Sequence, residues 1–209
     1  MIKFVELENF GVNLLTVTFV VTLFFTALQS FALFKQNQKI VKNSSGKSVS
    51  FIFFSYYGFA AMAVIIYGLF ERSLALFING FMGFIALAIV INILRFEKIS
   101  KRKKIFGLGS VVVIPLIIIL PQKDSLFLIV GMIINLTLFL QILEIWKNKS
   151  SGSVHPGPAL VSTFSNFFWL SYSVVADIWP MQIINSFGLA LWIFMLITYY
   201  QHQPKKILS

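Results

Sequence analysis

The chain has 209 residues, 58% hydrophobic and 11% charged, with 24 Phe, no Cys and a formal net charge of +10. A soluble domain carries about 25% charged residues and cannot bury this much apolar surface, so a free soluble fold is excluded and a bilayer is the solvent required. The lack of cysteine also excludes disulfides, thiolate metal sites and cysteine nucleophiles.

At about 20 residues per crossing, the pattern predicts seven spans. The first, Phe10–Phe34, follows a segment with Glu6, Glu8 and only Lys3 as a base, so it reads as a mature span rather than a leader. The second, Val49–Phe70, stops at Glu71-Arg72-Ser73, and the third runs Leu74–Leu94. The fourth, Ile105–Leu120, is the shortest; it opens on Gly107 and Gly109 and contains Pro115. Pro121-Gln122-Lys123-Asp124 precedes the fifth, Leu126–Trp146. The sixth and seventh, Gly157–Ala176 and Pro180–Tyr200, are divided by a turn with an interfacial Trp179.

Charge orients these spans. Fourteen of the 17 bases gather on one side: Lys35 to Lys47, Arg95 to Lys104, Lys147 and Lys149, and Lys205 and Lys206. The other side keeps Lys3, Arg72 and Lys123. Basic loops stay cytoplasmic, which predicts a multi-pass protein of the plasma or inner membrane, N-terminus outside and C-terminus inside. Because the bases lie between spans rather than along one amphipathic face, nucleic acid is not an expected partner; the partner is the lipid bilayer. The two histidines, His155 and His202, lie too far apart to share a metal, and no metal or cofactor is expected.

An internal repeat organises the chain. Leu28-Gln29 and Leu140-Gln141 end the first and fifth spans, each with a Lys six residues after the Gln. Ser48-Val49 matches Ser153-Val154, Tyr67 matches Tyr172, Ile78-Asn79 matches Ile184-Asn185, and Gly83 matches Gly188. The fold class that follows is an all-α membrane protein: two three-helix repeats, about 10–96 and 126–200, joined by a linker helix at about 105–120. Three is odd, so a linker span is needed for both Gln-ended spans to finish at the basic side, and the repeats are parallel.

These residues resemble the PQ-loop superfamily and, within it, the seven-helix SWEET sugar transporters. The similarity runs from about Gly11 to Tyr200 and rests on the Gln-ended spans, Tyr67-Gly68-Leu69, Ile78-Asn79-Gly80-Phe81-Met82-Gly83 and Trp169-Leu170-Ser171-Tyr172. The resemblance implies that Asn79 and Asn185 line a sugar site, together with Val64 and Trp169, each three residues before its Tyr. It implies gating roles for Gln29, Gln141 and Pro158. Leu28 and Leu140 stand where the family has the proline of its Pro-Gln motif, and Pro158 is the one good match to four hinge prolines.

Depth supports the same residues. At 1.5 Å per residue, Asn79 and Asn185 lie about 8 Å inside their spans, and Val64 and Trp169 about 9–10 Å. Amides offer donors and acceptors to hydroxyls, and an indole offers a flat face to a sugar ring. The opposing view makes these Asn interhelical packing groups, as Asn13, Asn92, Asn135 and Asn166 are read here. Glu144 is the one carboxylate within a span and is expected to neutralise a nearby base. With no acid or histidine near midplane, the expected function is facilitated diffusion of a small neutral solute, a mono- or disaccharide. The alternatives are a proton-coupled amino-acid exporter and a non-transporting receptor of the same superfamily. No nucleophile–base pair points to an enzyme, and a homo-oligomer is compatible with all of this.

Overall fold

The computed structural model describes residues 3–203; Lys205 and Lys206 lie outside the described residues. Among those described, all regular structure is helical. A short α1 (Val5–Glu8) precedes α2 (Leu14–Asn43) and α3 (Phe51–Phe70). The third predicted span is two pieces, α4 (Leu74–Gly80) and α5 (Met82–Phe96). The linker comprises α6 (Lys101–Gly109), a 3-10 turn at Ser110–Val112 and α7 (Val113–Ile119). The second half is α8 (Lys123–Asn148), α9 (Pro156–Val175) and α10 (Trp179–Gln201).

Among the described residues, five helical stretches are long and apolar enough to cross a membrane: α2, α3, α4–α5, α8 and α10. Helix α9 has 20 residues but is not among them, because Ser162, Thr163, Ser165, Asn166, Ser171 and Ser173 dilute its apolar character. The linker starts at Lys101 rather than Ile105, with the Ser100 hydroxyl capping Lys103 N–H. It is broken just before its proline. Pro115 has no N–H to give the Val111 carbonyl, and the 3-10 turn lies at that point.

The loops show that the repeats are parallel. The segment after α2 bonds directly to the segment after α8: Ser153 N–H donates to Lys47 O (3.1 Å) and the Ser48 hydroxyl to Ser150 O (2.9 Å). Both first helices therefore end on the same, basic face. Left-handed residues recur at matching positions, Ser44 (φ 46°) with Lys149 (φ 46°) and Arg72 (φ 52°) with Asp177 (φ 55°). Each pair is 105 residues apart, a register the repeat keeps to within one residue at Tyr67/Tyr172, Asn79/Asn185 and Gly83/Gly188.

Within each repeat the first helix packs on the third and the third on the second: α2 against α5 and α5 against α3, then α8 against α10 and α10 against α9. Across repeats, α2 packs on α9 and α3 on α8. The linker lies mainly against α3, where a Cβ on Gly107 would fall 2.6 Å from the Phe51 ring. Two buried apolar clusters result. One, around Leu33, Ile40, Ile89, Ile142 and Met195, lies toward the basic end; the other, around Phe19, Val64, Leu76, Phe127 and Met181, lies toward the opposite end. Val17, Val20, Phe24 and Phe31 of α2 remain exposed on the outside, as a lipid-facing surface requires.

Candidate substrate chamber and its closures

Between the two apolar clusters is a chamber of about 110 Å³. The structure brings Asn79, Asn185, Trp169, Val64 and Gln29 to its wall, and among the described residues no Asp, Glu, Lys, Arg or His lines it. Asn79 sits one residue before the end of α4, where Phe81 N–H turns back to the Ile78 carbonyl and separates α4 from α5. The break is possible because Gly80 presses on α3: a Cβ there would lie 2.4 Å from Ile65 and 2.7 Å from the Ala61 carbonyl. Irregular backbone inside a membrane is tolerated where it lines a cavity. The Asn79 Oδ1 is buried with no hydrogen-bond partner, which marks it as a group awaiting a donor. Trp169 is buried, with its ring edge-on to Tyr172 at 5.7 Å.

A second, smaller cavity of about 20 Å³ lies toward the basic end, bordered by Gln36, Gln141, His155 and Pro158. Gln29, Phe53, Tyr57 and Trp192 border both cavities. They form an aromatic septum in which Phe53 meets Tyr57 at 5.8 Å and Trp192 at 6.1 Å.

The basic end is sealed by two symmetric clamps. Gln141 of α8 accepts from Ser50 N–H (2.7 Å) and donates to Ser48 O (2.7 Å). Gln36 of α2 accepts from His155 N–H (2.6 Å) and donates to Ser153 O (3.0 Å). This corrects the sequence pairing: the counterpart of Gln141 is Gln36, 105 residues earlier, and not Gln29. Gln29 and Gln36 are seven residues apart, about two turns, so both face the same interface and a local motif cannot separate them. Gln29 instead braces α2 against α9, donating to the Ser162 hydroxyl (2.7 Å) and accepting from Ser165 (3.1 Å).

Pro158 lies in the first turn of α9, where no intrahelical N–H bond is lost. It imposes no kink here, and the break in a spanning helix falls beside Asn79 instead. Glu144 pairs with Lys103 of the linker, outside both cavities. His155 caps α9, its Nδ1 accepting from Gly157 N–H (3.0 Å). Burial, then the nearby Lys39 and Lys35, holds its imidazole below the ordinary histidine range.

The opposite end is closed by two tyrosines. Tyr67 of α3 donates to Asp124 at the start of α8 (2.8 Å) and stacks on Phe127 at 3.9 Å. Tyr172 of α9 donates to Glu6 of α1, and its oxygen lies 2.9 Å from the Ser73 hydroxyl. Glu6 is 1% exposed and also accepts from Ser73 (3.0 Å), Leu74 N–H (3.0 Å) and Ala75 N–H (3.1 Å). It thus caps α4 and reaches the other repeat at once. Nearby, burial and the charge of Asp124 raise the Glu71 carboxyl above its usual range.

Glu6, Gln36, Tyr57 and Trp192 were not reached from sequence. Only Gln36 carried a sequence signal, its 105-residue spacing from Gln141. Asn135 and Asn166, read as packing groups, line the chamber too, so Asn166 cannot serve as a purely structural reference; Asn92, bonded to Asn37 at 2.8 Å outside the chamber, can.

Residues 125–207, the second repeat, match the family described as "Sugar efflux transporter for intercellular exchange". Over 83 residues the chain is 29% identical to the rice (Oryza sativa subsp. japonica) "Bidirectional sugar transporter SWEET11", an alignment covering 37% of this chain and 27% of that protein. The match thus spans little more than a quarter of that relative. The fold matches a solved eukaryotic SWEET transporter with a TM-score of 0.60 at 16% identity, covering 91% of this chain and 99% of that one. One repeat matches the family's model and 91% of the chain matches the architecture of a solved SWEET transporter, so this is an all-helical membrane protein with a SWEET-like fold.

Proposed function

We propose that this chain carries a small neutral sugar across a membrane by facilitated diffusion, with its basic end in the cytoplasm. The observation that carries the proposal is the chamber itself: both repeats contribute to its wall, amides and indoles supply most of its polarity, and among the described residues no Asp, Glu, Lys, Arg or His lines it. A charged solute would find no counter-ion, and a proton-coupled carrier would need a titratable group there. Glu144, the one candidate acid, is engaged by Lys103 instead.

Size favours one sugar ring. A single water needs about 10–15 Å³ of comparable space, so 110 Å³ holds several waters, on the scale of a monosaccharide rather than a disaccharide. Asn79 and Asn185 pair with hydroxyls and Trp169 offers its apolar face. Closure follows the same economy of charge: the Tyr–carboxylate bonds shut the outer side, and the septum and glutamine clamps shut the inner side. Opening one set while the other holds exposes the chamber alternately to the two faces.

The test is counterflow of labelled monosaccharides in proteoliposomes, with and without a protonophore. Counterflow that persists without a proton gradient supports uniport; its abolition by the protonophore would favour coupled transport. Orientation is tested by single cysteines in this cysteine-free chain. In intact cells Ser125→Cys should react with an impermeant thiol reagent and Lys42→Cys should not, and the reverse would overturn the assignment of faces.

A further inference from the structure

Two amides in the chamber have no counterpart in the first repeat. Asn135 of α8 and Asn166 of α9 correspond, 105 residues earlier, to Ser30 and Ala61. Both have their nitrogens committed. Asn135 Nδ2 donates to the Ile184 carbonyl (2.9 Å) and Asn166 Nδ2 to the Ser162 carbonyl (2.7 Å). A carbonyl only accepts, so the amide atom facing it is the nitrogen, and the oxygen is turned away.

Both oxygens are turned toward α10 at Gly188. A Cβ built there would stand 2.5 Å from Asn166 Oδ1 and 3.1 Å from Asn135 Oδ1. Measured from one point, these distances make the two oxygens neighbours, in space that only glycine leaves open. Asn185, one turn earlier on α10, repeats the pattern: its Nδ2 donates to the Met181 carbonyl (2.8 Å). Among the described residues, none of the three oxygens accepts a protein hydrogen bond.

The glutamines that brace the helices look different. Gln36 and Gln141 each use both ends on backbone, and Gln29 uses both ends on serines. Three amides with bound nitrogens and free oxygens, on three helices around one chamber, are instead an array of acceptors.

We propose that Asn135 and Asn166, with Asn185, form an acceptor wall that selects the substrate by hydroxyl groups able to donate. The inference rests on the sugar reading above and makes a narrower claim. Substrate hydroxyls facing this wall act as donors. Replacing one by fluorine, which cannot donate, is then as harmful as replacing it by hydrogen.

The experiment uses the purified full chain and wild-type counterflow of D-glucose, D-galactose, D-mannose and D-fructose. For each sugar that is carried, its monodeoxy and monodeoxyfluoro analogues are compared as competitors. At one ring position or more, both analogues should compete 5- to 50-fold less well than the parent. Asn135→Ala and Asn166→Ala should weaken the parent by a similar factor and narrow its advantage over the deoxyfluoro analogue at those positions. Gly188→Ala, which crowds both oxygens without removing either amide, should weaken it as well. A deoxyfluoro analogue that competes like the parent at every position would overturn the acceptor wall while leaving the sugar reading intact. Unchanged parent affinity in folded Asn135→Ala and Asn166→Ala would do the same. If none of the four sugars shows counterflow in the wild type, the sugar reading fails and the acceptor wall with it. The analogue series needs no mutant, so a variant that fails to fold does not remove the test.

Discussion

Removing the Gln141 side chain should release the basic end of the protein. In the closed structure Gln141 satisfies one backbone N–H, at Ser50, and one carbonyl, at Ser48. Ser48 itself is held at φ 67°, a conformation that non-glycine residues adopt only when held there. Gln141→Ala leaves both groups unpaired, at roughly 1–3 kcal/mol each when buried. Water reaches this loop as it loosens, which keeps the total near 2–4 kcal/mol, or roughly 30- to 900-fold in the closed-to-open ratio. Gln36→Ala should have a comparable effect through Ser153 and His155. Gln29→Ala should do less, because its partners are the Ser162 and Ser165 hydroxyls, which can rotate to carbonyls of their own helix. A suitable reporter is Ala159→Cys, buried beside the smaller cavity. Its rate of reaction with a water-soluble thiol reagent should rise sharply in both clamp variants and only slightly with Gln29→Ala. Equal rates in all three, or a larger effect from Gln29, would refute the assignment of Gln36 and Gln141 as the symmetric clamps.

Three further outcomes follow from the geometry. Asn79→Ala or Asn185→Ala should lower sugar affinity about 5- to 150-fold, equivalent to 1–3 kcal/mol, with little change in the ligand-free melting temperature; wild-type ligand shifts in both would make them packing residues, and Asn92→Ala should lower stability alone. Glu6→Ala should lower the melting temperature markedly, since four donors lose their acceptor, whereas Glu6→Gln keeps one oxygen and should lose less; wild-type melting in Glu6→Ala would show the contact to be dispensable. Because the folded protein holds His155 below its ordinary value of 6.5, the unfolded chain takes up the proton first as pH falls, so stability should decline below about pH 6.5 and be regained above it. His155→Asn, which preserves a helix cap, should flatten that decline between pH 7.5 and 5.5; an unchanged slope would assign it to other groups.

The sequence was informative wherever the controlling physics is local. A span declares itself within about 20 residues, because each stretch must satisfy its own backbone and meet lipid with its own side chains. Even so, α9 falls short of the apolar character expected of the sixth span, and α6 begins four residues earlier than expected. The sequence also singled out Asn79, Asn185, Val64 and Trp169, through similarity and depth, and all four line one chamber. It could not distinguish Asn135 and Asn166 from packing amides, since that depends on which end of each amide finds a partner.

Membrane residence, five of the crossings, the basic end and the existence of two repeats thus follow from the amino acids alone, since hydropathy, charge and self-similarity are properties of consecutive residues. The tertiary structure decided the rest. It set the repeat register that pairs Gln36 with Gln141, because a seven-residue slip preserves the helix face and leaves no trace in the local motif. It joined Glu6 to Tyr172, 166 positions away, because a buried carboxylate is stabilised by donors that only packing assembles. And it turned two amide oxygens, of Asn135 and Asn166, toward the space at Gly188, because an amide's free end is known only once its nitrogen has found a carbonyl.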